Sequence, residues 1–499
     1  MTLFQNPIFL TQKRLVHRAG VLAAVLIAAL LGLSLLSGLI AYLTDPTTFG
    51  FRSGREAGKT FYGWVIGLEI LVLIVGGFSR ISRSLSDDRK AGLWDSNRLT
   101  PLQPAHLVLG YWLGAALREF YMALGLALFG LAIVVIGKLP VTLWIGTQVL
   151  VAGAALFFGL LAVLTGMAFQ RPQSGILLLL AFIVFQAFSL SRPRLLITNF
   201  LLPVYGIANL FQDQGAEPGR DWGGFPELFG LPIHPILFSL GLQCVVGIFL
   251  WRAAARKTIS PFQPLLRRWE AVALFGVLIF AQHGLIWGLW QGRFGAPPAA
   301  DQIRDPDEPM LPIVHCGAIL MGMMVLAFAS PQPERVRVAV LRAGAGNLRM
   351  IFSRSAASLA LPLAAVAAAA LFSQCALSIS TGWKSLAAAA GNLLALFLIF
   401  PLLLEFCRLR FHRRALGFFA LSLFVLCALP FVLAGVFSNA GFGRISLLSP
   451  GAAALSDPAG EELNILLLTD LAHLLIATVL FLAWRNEWSR MLNRTARQN

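Results

Sequence analysis

Apolar segments of about 20 residues, the length that crosses bilayer hydrocarbon as a helix, recur along the whole of this chain. Inside lipid the backbone N–H and C=O groups find no water, so each segment must satisfy them within a helix. Candidate spans lie near 19–43, 61–79, 107–137, 142–169, 174–191, 234–251, 269–290, 311–330, 356–376, 385–407, 415–437 and 464–484. The chain is 58% hydrophobic and 12% charged, about half the charged share of a soluble domain. It lacks the polar surface to fold in water alone. The fold expected is an all-α polytopic membrane protein with about twelve transmembrane helices. The first apolar run follows Lys13, Arg14 and Arg18 and is long enough to span, unlike a cleavable leader.

The formal charge of +16 would point to nucleic acid in a soluble protein. Its placement points elsewhere. With the amino terminus in the cytoplasm, 27 of the 39 Lys and Arg fall in inward segments and 11 in outward ones, and Arg118 lies within a span. Basic residues are retained on the cytoplasmic side of membrane proteins, so both termini are expected inside. The charge is then a topology signal that needs no nucleic-acid partner, and its basic loops face membrane lipids. Cys244, Cys316, Cys375, Cys407 and Cys427 are scattered singly, with no disulfide framework and no metal-ligand spacing.

The segment 195–211 is apolar but short, and Asn199, Pro203 and Asn209 interrupt it. If it crossed, Arg252, Arg256, Lys257, Arg267 and Arg268 would move outside, against the basic bias. It is therefore expected as a re-entrant or interfacial helix pair. The remaining spans form two six-helix halves, 1–254 and 255–499. Each opens on a basic amphipathic segment, at 4–18 and 255–270, and each has a charged loop after its second span, at 80–106 and 331–354. Such pseudo-repeats enclose a path at their interface.

The loop at 79–110 carries the most information. A charged run ends at Gly92, an apolar stretch with Leu93, Trp94 and Leu99 follows, and then comes Thr100-Pro101. Thr as N-cap with Pro at the first helical position predicts a helix start. A cytosolic amphipathic element between two spans can lie across a partner's surface. The alternative is a solvated loop on anionic lipid.

The order acid-Arg-x-x-Gly followed by Leu-x-Thr-Pro-Leu-x-Pro, here Asp88, Arg89, Gly92, Leu99, Thr100, Pro101, Leu102 and Pro104, resembles the gate-helix loop of type-two ABC exporter permeases. Asn6-Pro7 ahead of a basic amphipathic helix is similar to that family's connecting helix. The resemblance covers roughly 1–255, and the second half matches by layout only, since its loop lacks the Thr-Pro pair. The family usually has Glu at the position of Asp88 and a leucine-rich stretch in place of Trp94-Asp95-Ser96-Asn97. The resemblance implies a permease in a bacterial cytoplasmic membrane, with an ABC ATPase subunit on its cytoplasmic face. ATP would bind to that partner, leaving this chain without a cofactor. Whether one chain completes the pathway or pairs with a second permease chain stays open.

No nucleotide site is expected in the chain itself. The string SGREAGKT at 53–60 has Ser53 where a phosphate loop needs its first Gly, and it lies in a loop beside a membrane helix. Ionisable residues inside spans are functional candidates by default. Glu69 and Arg118 fall at similar depth and are expected to pair and fix two helices, while Glu119 either belongs to the same cluster or faces elsewhere. Asp470 and His473, three apart on one helical face, share a broad depth with His283 and His315; such residues more often make helix-to-helix hydrogen bonds, and a proton relay is the alternative. Glu405 near Arg408 and Arg410 reads as an interface charge group. No nucleophile–base order or paired-carboxylate pattern appears, so an enzyme is not expected. Three functions remain: an ABC exporter permease, a proton-coupled secondary transporter, and a membrane scaffold that transports nothing.

Overall fold

The computed structural model describes residues 6–15, 18–44, 53–99, 102–168, 197–212, 227–229, 231–260, 263–294, 310–331, 336–338, 348–375, 383–411, 415–423, 425–426 and 461–496. The chain divides into two units, one of Met1–Pro226 with Pro232–Pro261, the other of Glu227–Leu231 with Phe262–Asn499. The expected break at 254/255 falls inside the helix Pro235–Ile259, which runs on through Ala253, Ala254, Arg256 and Lys257 to Ser260. Ala, Arg and Lys are strong helix formers, and basic side chains suit a helix C-terminus.

In the first unit, a short helix α1 (Pro7–Leu15) precedes α2 (Arg18–Thr44) and the long α3 (Gly54–Lys90). A seven-residue helix, α4 (Leu93–Leu99), begins after Gly92. Then follow α5 (Pro104–Ala115), α6 (Leu117–Ile136) and α7 (Val141–Ala168). Two short helices, α8 (Thr198–Leu201) and α9 (Val204–Gln212), lead to α10 (Pro235–Ile259). The core lies among α2, α3, α6 and α7, with Leu39, Tyr62, Val65, Leu126, Ile133, Leu143 and Leu150 buried together. Glycines set the closest approach: a Cβ on Gly58 would stand 2.9 Å from the Gly137 Cα. Small residues of this kind let membrane helices pack where no hydrophobic effect drives them together.

Two helices differ from expectation. The span at 107–137 is two helices, because Ala116 (φ −95°, ψ 14°) leaves the helical region between α5 and α6. The predicted start at Thr100-Pro101 is replaced by one at Pro104, which sits at the first helical position behind Gln103. A helix begun at Pro101 would hold Pro104 in its interior, where its ring would clash with the carbonyl four residues back. Thr100 and Pro101 themselves lie outside the described residues.

The interrupted segment at 195–211 gives α8 and α9, broken at Leu202-Pro203 and packed on α7 and α10. Gln243 donates to the Leu201 carbonyl at 3.1 Å, and Lys59 donates to the Phe211 carbonyl at 3.2 Å. Both satisfy backbone acceptors that helix ends leave without partners.

In the second unit, α11 (Arg268–Phe294) and α12 (Met310–Ala329) pair, followed by α13 (Leu348–Arg354) and a 3₁₀ turn (Ala356–Leu359). Helices α14 (Ala360–Cys375), α15 (Trp383–Phe411), α16 (Ala415–Leu423) and α17 (Glu461–Ala496) complete it. Trp484 and Trp488 of α17 are buried with Ile351, Leu402 and Leu409.

Among the described residues, eight helices are long and apolar enough to cross a membrane: Gly20–Thr44, Gly54–Lys90, Leu117–Ile136, Val141–Met167, Pro235–Ile259, Arg268–Ile286, Ala387–Phe411 and Leu467–Asn493. The expected span at 174–191, and that at 415–437 beyond its opening turns, lie outside the described residues. The chain is an all-α protein with several membrane-crossing helices.

Candidate functional site

Helix α3 has 37 residues, a length of about 55 Å against a hydrocarbon core about 30 Å thick. Its charged Lys90 end therefore projects past the lipid. Four elements of the first unit meet there: α1, the end of α3, α4 and α5.

Asp88 is half-buried at this end. Its Oδ2 accepts from the Tyr111 hydroxyl at 2.6 Å and from Gln12 Nε2 at 3.4 Å. Asn97 Nδ2 donates to the Tyr111 hydroxyl at 3.2 Å, and Ser84 donates to Gln12 Oε1 at 3.0 Å. The Trp94 ring packs against Tyr111 with centroids 5.5 Å apart. Asn6 fastens the start of α1, donating to the His106 carbonyl at 2.6 Å and accepting from the Ile8 amide. Arg89 donates to the Gly166 and Met167 carbonyls at 3.1 and 2.8 Å, closing the C-terminus of α7. Asp88 and Arg89 are thus engaged inside the unit, and they hold the end of α3 to its neighbours.

The residues exposed at this end are different. Leu93 is 54% exposed, and Asp87, Lys90, Asp95 and Ser96 are exposed around it. Gly92 makes the turn that presents them, with φ at +75°, a conformation unfavourable to a residue bearing a Cβ. Gly92→Val is expected to cost about 1–2 kcal/mol and to quicken amide exchange over residues 93–99. Gly92→Asn, which tolerates this region better, is expected to cost less. Equal exchange in wild type and Gly92→Val would remove this role. Leu102 is half-buried and Pro104 opens α5; the Leu99 side chain lies outside what is described. Sequence reasoning missed Gln12, Ser84, Asn97 and Tyr111. Only Gln12 left a signal, as a polar residue on the apolar face of α1.

Within the membrane helices the expected Glu69–Arg118 pair does not form. Glu69 is buried and accepts from Gln148 Nε2 at 2.8 Å, while Arg118 pairs with Glu119 at 2.8 Å and keeps 45% of its side chain exposed. The break at Ala116 is the cause, since it moves Arg118 from mid-span to the first turn of α6. A π-helical turn, Leu71–Gly76, begins two residues after Glu69, and the Tyr62 hydroxyl bonds Thr147 about two turns before Glu69.

In the second unit Asp470 and His473 are both buried. Asp470 Oδ1 accepts from Asn392 Nδ2 at 3.2 Å rather than from His473. The His315 side chain lies outside what is described. Glu405 is no interface charge: it is buried, accepting from the Ala356 amide at 2.7 Å and from Trp484 Nε1 at 2.8 Å. Arg408 donates instead to Ser330 Oγ at 2.6 Å.

The string SGREAGKT is a helix start. Ser53 Oγ accepts from the Glu56 amide at 3.2 Å, so Ser53-Gly54-Arg55-Glu56 caps α3. Lys59 is spent on the Phe211 carbonyl, and neither a strand nor a phosphate cradle surrounds it among the described residues.

These features define an integral membrane protein of several α-helical spans, with a polar junction at the projecting end of one long helix. Compared with protein-family models, with curated proteins and with solved structures, the chain matches none.

Proposed function

We propose that this chain is the permease of a type-two ABC exporter, moving its substrate across a bacterial cytoplasmic membrane with a separate ATPase subunit. The observation that carries this reading is the junction at the Lys90 end of α3. There an exposed apolar residue, Leu93, stands on a short helix tied through Trp94, Asn97, Tyr111 and Asp88 to α5, α1 and a membrane-spanning helix. A push on α4 from an energising subunit would reach the spans through buried contacts. The topology that goes with it has both termini in the cytoplasm and twelve helices in two six-helix halves, supported by the excess of Lys and Arg in the inward segments.

The test is reconstitution. Leu93→Glu is expected to abolish co-purification with the ATPase subunit while leaving the permease folded. Asp88→Asn should keep the complex but lower ATP-driven flux. Undiminished association of Leu93→Glu would count against α4 as the docking element.

A second reading, proton-coupled secondary transport, draws on Asp470. This carboxylate is buried, and its Oδ2 has no hydrogen-bond partner among the described residues. Buried membrane carboxylates of that kind serve proton relays. Liposome flux separates the two. Flux driven by a pH gradient without ATP, and lost in Asp470→Asn, would favour the second reading.

A further inference from the structure

A cavity of about 510 Å³ opens in the second unit where α11 begins and α12 ends. Leu266, Val336 and Leu359, all buried, supply apolar lining. Arg267, Arg268 and Arg354 stand around it. Among the described residues no carboxylate pairs with these three guanidinium groups. Of the described carboxylates, Glu270 accepts from the Arg267 backbone amide at 2.8 Å, and Glu405 accepts from the Ala356 amide and Trp484. Arg268 and Arg354 lie close enough for their like charges to act on each other. Bringing cations together without a counter-charge is unfavourable, and an anion between them reverses the sign.

The depth of the site names the class of anion. Arg268 is the first residue of a membrane-crossing helix, so the cavity sits where hydrocarbon gives way to water. Next to it Trp269 is 85% exposed, and Trp belongs at the headgroup level of a bilayer. Guanidinium forks match phosphate oxygens in pairs, and the apolar lining residues suit the glycerol and first methylenes that follow a lipid phosphate. The volume suits a small ligand.

We infer that this cavity binds the phosphate of an anionic phospholipid headgroup, held by Arg268 and Arg354 with Arg267 at the rim. Basic pockets between membrane helices recognise anionic lipids in this way. The site is independent of the transport reading, since nothing in it involves α4 or Asp470.

The experiment uses the full chain purified in detergent, with lipid retention followed by native mass spectrometry. Wild type is expected to retain phosphatidylglycerol about tenfold more strongly than phosphatidylcholine. Arg268→Gln/Arg354→Gln should bring the two lipids to parity. Ser353→Glu, which brings a carboxylate to the cavity wall without removing a guanidinium, should do the same by charge compensation, and Arg14→Gln on α1 should change nothing. Gel filtration and helical circular dichroism confirm that each variant is folded. Undiminished phosphatidylglycerol preference in both cavity variants would overturn the proposal. Inorganic phosphate added alone is expected to leave thermal stability unchanged. Stabilisation by it that the cavity variants lose would overturn the lipid assignment and make the ligand a soluble phosphate.

Discussion

Glu405→Ala is expected to lower the apparent unfolding temperature of the detergent-solubilised protein by about 10 °C. The carboxylate accepts from two buried donors on different elements, the Ala356 amide that opens the 3₁₀ turn and Trp484 Nε1 of α17. Removing the acceptor strands both, and each orphaned buried donor costs about 1–3 kcal/mol. For a unit of this size each kcal/mol moves the midpoint by about 2–4 °C. Water cannot easily repair the loss, because Trp484 is completely buried among Ile351, Leu402 and Leu409. Glu405→Gln discriminates the mechanism. Its single amide oxygen can serve one donor well and must turn an NH₂ towards the other, so a drop about half as large is expected. Trp484→Phe keeps ring packing and removes one donor, and its effect should shrink in the Glu405→Gln background, the signature of a shared bond. A midpoint unmoved by Glu405→Ala would show that the carboxylate does not hold these elements together.

How much of this was readable beforehand divides along a physical line. Hydropathy is a sum along the chain, so the helices at 18–44, 141–168 and 235–259 could be placed from their apolar runs alone. What failed were statements about which helix faces which. Equal depth placed Glu69 and Arg118 side by side, but depth says nothing of the angle around a helix axis, and Gln148 took the position facing Glu69. The break at Ala116 was hidden because no Pro marks it and the stretch Gly110–Phe120 stays largely apolar. The π-helical turn after Glu69 has no sequence signal either. In the candidate site, Asp88 and Arg89 were picked out by their motif, yet their partners Tyr111, Gln12 and the Gly166 and Met167 carbonyls come from distant positions. Partners brought together by tertiary packing leave no local periodicity.

The largest structural effect expected in the first unit comes from filling the groove of α5. Helix α1 lies so close to it that a Cβ on Gly110 would stand 2.8 Å from the Ile8 Cβ and 3.2 Å from the Phe9 amide nitrogen. One turn further on, a Cβ on Gly114 would meet the Gln12 Cβ at 2.9 Å and the Phe9 Cα at 3.4 Å. Two of those four neighbours are backbone atoms, which cannot swing aside as a side-chain tip would. Gly110→Leu must therefore displace α1 as a body, an overpacking cost of about 1–3 kcal/mol. A nine-residue helix cannot persist without a surface to lie on, since isolated helices shorter than about 12 residues are marginal in water. Amide exchange over residues 8–15 is expected to rise about tenfold or more. Gly67→Leu on α3, where a Cβ meets nothing within 4 Å, should leave it unchanged. Undocking also takes Gln12 away from Asp88 and Asn6 away from the His106 carbonyl, while Leu93 and its exposed neighbours stay in place. Under the permease reading the consequence is specific: the ATPase subunit still binds, and ATP-driven flux falls because one brace between α4 and the spans has gone. Protected α1 amides in Gly110→Leu would mean that the groove tolerates a side chain and that α1 is not held by these glycines.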